Sequence, residues 1–286
     1  MKFNKTIIAT FVGSALATTA LGVAANDNIT DRSFSVERVA KVNANNAVAT
    51  ASGMHNQYDA QLGKTTFQWA AKQATSPNMG SISAEHQNAF AADFYLKQLT
   101  GLKSAKQSLA QPVLANIHDI GRGAKIAKYK QEVAGVEVFN REYNIMMDRE
   151  FNLVASSGYF ASQNAAKSVG AAIKDIDGAF GEAVNSVNAV FTEMGGKSAS
   201  VTLTAKSSDD KYEKFSVTNT SADKIILGEP RAKKVFFEHK NKLVAAHYVE
   251  VETGEFDSRD SEYFGYVVSA KTGEVLFKKN LKNLQN

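Results

Sequence analysis

The hydrophobic and polar positions alternate most clearly between Ala115 and Tyr159. A strand-compatible run from Ala124 to Val133 stops at Ala134-Gly135. Val136 and Val138 restart a period of two, and Tyr143, Ile145 and Met147 carry it on, with a slip of phase around Asn140-Arg141. Side chains on a strand alternate between faces, so a one-residue slip needs a bulge or a strand break there. Asp148-Arg149-Glu150 forms a tight turn, after which Phe151, Leu153 and Ala155 restore the alternation and Gly158 ends the unit. The pattern predicts a β-meander with one apolar face that needs a cover.

Upstream, Ser83 and Gly101 bracket a helix carrying Phe90, Phe94 and Leu96–Leu99 on one side, and a shorter helix runs from Lys103 to Leu109. Downstream, Ser162–Val169 is a loop or short helix. Ala179, Phe180, Ala183, Val184, Val187, Val190, Phe191 and Met194 then recur at three-and-four spacing, after Asp175 and Asp177 and before Gly195-Gly196. This predicts one helix with acids at its positive end and a glycine stop. Short strands at 201–204 and 215–217 flank a charged turn, and a second meander follows. Its strands are Val235–Phe237, Leu243–Val251, Tyr263–Ser269 and Glu274–Phe277, with turns at His239–Lys242 and Ala270–Gly273. Helix followed by meander occurs twice, which predicts an α+β chain of two lobes with related folds.

The ends carry different patterns. Met1–Lys5 is a basic head, Thr6–Val23 an uncharged apolar run, and Val23-Ala24-Ala25 a small-x-small site. Together they predict a signal peptide over residues 1–25 cleaved after Ala25, hence export to the periplasm or the extracellular space. A membrane anchor fits less well, because Gly, Ala and Thr dilute a run that barely reaches the ~20 residues a span needs. Residues 26–80 form a polar, extended N-terminal arm whose sharp feature is Phe67 beside Trp69, the single tryptophan. Those aromatics are expected to dock on a later domain or a partner. Lys278–Asn286 is expected to be an extended tail.

Composition removes several chemistries. No cysteine exists, so disulfides, thiolate nucleophiles and Cys-ligated metals are excluded. The net charge of +4 falls to about +2 without Lys2 and Lys5, and no basic stripe interleaves with aromatics, so nucleic acid is not an expected partner. None of His55, His86, His118, His239 and His247 is followed by Glu, so the H-E-x-x-H zinc motif is absent. His239 and His247 read as solvated or hydrogen-bonded strand histidines. There is no G-x-S-x-G elbow. Gly121-Arg122-Gly123 lacks the surroundings of a phosphate loop, and Asp257, Asp260 and Glu262 read as a solvated acidic loop rather than a calcium site. No residue carries a catalytic assignment, and no cofactor is expected in this chain.

The stretch HDIGRGAKIAKYKQEVAGVEVFNREYNIMMDREFNLVASSG resembles the propeptide domain of bacterial fungalysin-type zinc metallopeptidases. The resemblance rests on Tyr129, Gln131, Gly135, Val136, Val138, Phe139, Asp148, Leu153, Val154, Ser157 and Gly158. YFGYVVSAKTGEVLFKKNL, with Lys271, Thr272 and Gly273 at its turn, is similar to a PepSY domain. The resemblance implies two cystatin-like lobes, each an antiparallel meander covered by helix. The propeptide-like lobe spans residues 81–165, a connecting helix and hairpin 166–225, the PepSY-like lobe 226–282, and a C-terminal tail 283–286. It implies a pro-region that assists folding of a zinc metallopeptidase domain, in cis or in trans, and blocks its cleft. Zinc is then expected only in that peptidase domain, which this chain lacks. A free-standing secreted inhibitor or binding module is the alternative.

Overall fold

The computed structural model describes residues 29–31, 54–60, 62–70, 76–101, 109–170, 172–194, 200–206, 211–218, 224–255 and 260–282. The signal peptide with Ala25, the helix at Lys103–Leu109 save its last residue, Gly195-Gly196, Asp257 and the tail 283–286 lie outside them. The fold is strand-rich α+β, and the described residues form fourteen strands in one hydrogen-bonded network and few helices. Among the described residues no helix is long and apolar enough to cross a membrane.

The first half is built on the predicted meander. β4 (Ala110–His118), β5 (Lys125–Val133), β6 (Val136–Met147) and β7 (Leu153–Gly158) pair antiparallel in sequence order. Ala134 and Gly135, at φ 48° and 80°, form the two-residue turn between β5 and β6, where paired left-handed residues match the strand twist. Helix α1 (Ala84–Thr100) covers one face and ends at Gly101, whose φ of 67° closes the last turn onto the carbonyl of Lys97. Ala91, Ala92, Tyr95 and Leu96 face inward against Tyr129, Tyr143, Ile145, Met147 and Leu153. Phe90, expected on the covered side, is instead 39% exposed. The small pair Ala91-Ala92 lets the helix approach closely, and this rotates Phe90 off the seam.

Part of the expected extended arm is a hairpin. β2 (Met54–Asp59) and β3 (Lys64–Ala70) pair antiparallel, and β3 adds to the free side of β7 through Phe67↔Ser157 and Trp69↔Ala155. The strand β1 (Ile29–Asp31) pairs antiparallel with the last strand.

Two short helices follow, α2 (Gln163–Lys167) and α3 (Ile176–Phe180), and then α4 (Ala183–Glu193). The single helix expected over 179–194 is therefore broken. Gly181 adopts φ 58°, ψ −154°, which no helix accommodates, and the break sends Phe180 and Phe191 into different cores. The second sheet contains β8 (Ser200–Lys206), β9 (Tyr212–Thr218), β10 (Lys224–Ile226), β11 (Arg231–His239), β12 (Lys242–Glu255), β13 (Ser261–Ser269) and β14 (Val275–Asn280). Val187, Val190 and Phe191 of α4 pack on Phe215, Val249, Tyr266 and Val268. The expected C-terminal tail begins too early: Lys278–Asn280 belong to β14, and Lys278 lies 4.5 Å over the ring of Phe264.

The two sheets meet in the middle of β6. Between Lys130↔Glu142 and Glu132↔Glu137, β5 advances two residues while β6 advances five. The extra residues form a bulge with Asn140 at φ 52°, at the predicted phase slip. Val138 crosses to bridge Phe236 of β11 in parallel, and the next residue, Phe139, enters the opposite face of the second sheet. Its ring lies 5.0 Å from Tyr248 and 5.6 Å from Phe277.

Candidate functional site

Most of the residues that carry the family resemblance hold this architecture together. Tyr129 is buried in β5 and its hydroxyl donates to Asp93 of α1 at 2.6 Å, tying helix to sheet. Gln131, also buried, accepts from the Ala161 amide at 2.8 Å and so fixes the chain as it leaves β7. Gly135 supplies the β5–β6 turn, Val136 packs on the shared core, and Phe139 is the wedge between sheets. Asp148 accepts from the amides of Glu150 and Asn152 and from the Asn152 side chain. It thereby builds the turn in which Phe151 sits at φ 65° instead of opening β7. Gly158 has φ 94°, and a Cβ there would lie 2.2 Å from the Glu142 carbonyl oxygen. Lys271, Thr272 and Gly273 form the β13–β14 turn, with the Gly273 amide donating to the Ser269 carbonyl at 2.9 Å. Val154, by contrast, points outward.

A buried ionic joint locks the junction. Glu238 on β11 is 5% exposed and accepts from Arg141 Nε at 3.0 Å and from Lys64 Nζ at 3.4 Å. Both cations also face the ring of Tyr159, and Lys64 donates to the Phe160 carbonyl. Burial alone raises the Glu238 carboxyl, but the charges of Lys64 and Arg141 outweigh it and hold the group below the usual glutamate range. The joint thus draws β3, the β6 bulge and β11 onto one carboxylate.

A cleft of roughly 610 Å³ opens on β11 at Ala232–Lys234. It forms because β11 changes neighbours, pairing with β9 through Arg231–Lys233 and with β6 at Phe236. The fork is lined by both signs of charge. Lys233 Nζ donates to Glu137 at 3.0 Å, with Lys130 3.7 Å from the same oxygen. Lys211 reaches from the β9 side to the Gly135 carbonyl at 3.2 Å and stands 4.0 Å from Glu132. Glu213 and Lys234 complete the charged lining, Lys234 pairing with exposed Asp177 at 2.6 Å. His247 also lines the cleft, 1% exposed, and its Nδ1 lies 2.8 Å from Ser186 Oγ of α4. Its Nε2 is buried without a hydrogen-bond partner among the described residues. Burial lowers the imidazole to about 4, so the ring is neutral at pH 7.

His247 is hydrogen-bonded, as a strand histidine was expected to be. His86 is exposed and bonded to Ser83, His118 is exposed on β4, and the His55 side chain lies outside the described residues. Among the described residues no group of three or more His, Asp or Glu side chains could hold a metal ion. The cleft was not visible in the sequence. Ser186 and His247 are 61 positions apart, and the charged residues around them look in the chain like solvated strand faces.

No protein-family model matches the chain, and no curated protein matches it. A solved structure, the Bacillus megaterium YpeB C-terminal domain, is similar over 98% of this chain and 99% of its own, at 11% identity and a TM-score of 0.29. A superposition score that low does not establish a shared fold.

Proposed function

We propose that the chain is the exported pro-region of a fungalysin-type zinc metallopeptidase, a non-catalytic clamp that assists folding of the peptidase domain and occludes its cleft, in cis or in trans. On this reading the two helix-backed sheets are cystatin-like lobes, the second of PepSY type. The observation that carries it is the helix-then-meander order occurring twice, α1 with β4–β7 and α4 with β8–β14, with the resemblance motif at the seam. Clamping a partner calls for open sheet surface and a fixed angle between sheets. The β6 bulge and the Glu238 joint supply the second. Phe67 and Trp69 stand exposed on β3, 5.5 Å apart, and offer the first.

The test is to refold a fungalysin-type peptidase domain with and without the purified chain, then titrate the chain against the active peptidase. A higher refolding yield and saturable inhibition are expected. Failure of both removes the proposal, and casein hydrolysis by the purified chain with added zinc would replace it with an enzyme.

A further inference from the structure

We infer that the fork between β9 and β6 is a binding site for a short zwitterionic peptide, a ligand carrying an ammonium and a carboxylate a few bonds apart. The inference is independent of the pro-region reading and rests on three features. The cleft, at roughly 610 Å³, falls within the ~300–1,000 Å³ range of small-ligand sites. Its charges are mixed at close quarters: Glu132, Glu137 and Glu213 share it with Lys130, Lys211, Lys233 and Lys234. A ligand of one sign would meet like charge wherever it lay in such a cleft, whereas a zwitterion can set each end against its opposite. His247 lines the cleft, and its Nε2 is buried and unpartnered among the described residues; a buried nitrogen of that kind costs free energy until something bonds it.

The arrangement also suggests how the ligand lies. Lys211 spans the mouth from the β9 side to Gly135 and Glu132 across a long 4.0 Å contact, and it is largely exposed. Its ammonium can turn from that contact to a ligand carboxylate without uncovering a buried charge. Glu132, the carboxylate that this turn of Lys211 releases, lines the same cleft and meets the ligand ammonium. The neutral His247 ring can donate or accept at Nε2, because Ser186 can satisfy Nδ1 in either tautomer. A peptide carbonyl or amide reaching the floor therefore finds a partner.

The probe is the dipeptide lysyl-glutamate, titrated into the full chain while the imidazole nitrogen–proton correlations of His247 are followed by NMR. His247→Gln assigns them, and its far-UV circular dichroism checks folding. The expected result is a saturable movement of the His247 signals alone among the five histidines. Glu132→Gln and Lys211→Ser should each weaken the response about tenfold, the loss of one charge-assisted contact. An equal response to the N-acetylated, C-amidated dipeptide, or to inorganic phosphate alone, overturns the zwitterion site. So does a flat titration through the millimolar range, which leaves Nε2 to a bound water.

Discussion

Replacing Arg141 with Met tests whether the ionic joint fixes the two sheets. Arg141 is 12% exposed at its side chain and Glu238 6%, so neither charge is relieved by bulk water. The substitution keeps the aliphatic stem but leaves Glu238 with Lys64 alone, at 3.4 Å. Stranding one member of a buried pair typically costs about 3–5 kcal/mol, and the remaining ammonium trims this to about 2–4 kcal/mol. The sign with pH follows from Glu238. Its folded value lies below its unfolded one, so the stabilisation is fully present above the unfolded value near 4.5 and fades as pH falls through the folded value. In the variant, burial acts with one cation less to oppose it, and the carboxyl rises. Urea unfolding of parent and variant at pH 7 and at pH 4 should therefore show a difference that is large at pH 7 and smaller at pH 4. The double variant Arg141→Met, Glu238→Leu should recover much of the loss, since it removes the stranded charge. A difference below about 1 kcal/mol at pH 7, or one that grows as pH falls, refutes the joint as described.

Three further outcomes are expected. Gly158→Ala should destabilise by at least about 2 kcal/mol in thermal unfolding, because the added methyl meets the Glu142 carbonyl at 2.2 Å in a left-handed backbone; an unchanged midpoint would mean that β6 and β7 can part there. Phe191→Ala should cost about 3–5 kcal/mol by leaving a cavity under α4, and a loss below about 1 kcal/mol would place that helix elsewhere. Burial holds the folded His247 imidazole at about 4, below its ordinary 6.5, so the neutral ring contributes up to about 3 kcal/mol above pH 6.5, and this is lost as pH falls toward 4. His247→Gln should flatten that limb of the stability–pH curve, measured by denaturant titration at several pH values, and an unaltered slope contradicts a buried neutral ring.

Much of the first half could be read from the chain, and the reasons are local. The β6 bulge announced itself because strand periodicity has no tolerance for an extra residue, and the α1 boundaries because Gly101 takes a conformation that ends helices. The break at Gly181 was missed: three-and-four spacing continues straight across it, and only the destinations of Phe180 and Phe191, two different cores, reveal it. The β2–β3 hairpin was hidden by its polar composition, although Gly63 at φ 62° and the Thr65-Thr66 pair were a usable turn-and-strand signal. Lys278 and Lys279 were taken for a tail because lysines mark solvent, yet Lys278 keeps its strand place by lying over the Phe264 and Tyr266 rings. The cleft could not be inferred at all. It exists only because one strand has two successive neighbours, and that is a property of topology rather than of pattern.

The bulge in β6 has a mechanical meaning. Domains joined by a linker can be pulled apart at little cost, because the linker extends before any fold is disturbed. Here the coupling is the parallel bridge from Val138 to Phe236 and the apolar core around it, with Phe139 on one face, the Arg141–Glu238–Lys64 contact, and Lys233 and Lys211 reaching Glu137 and Gly135 across the fork. A load applied between the β2–β3 hairpin and β14 is therefore shared among those contacts at one seam. The seam should be the first element to yield under force, and because β6 is continuous through it, rupture there should reach both sheets at once.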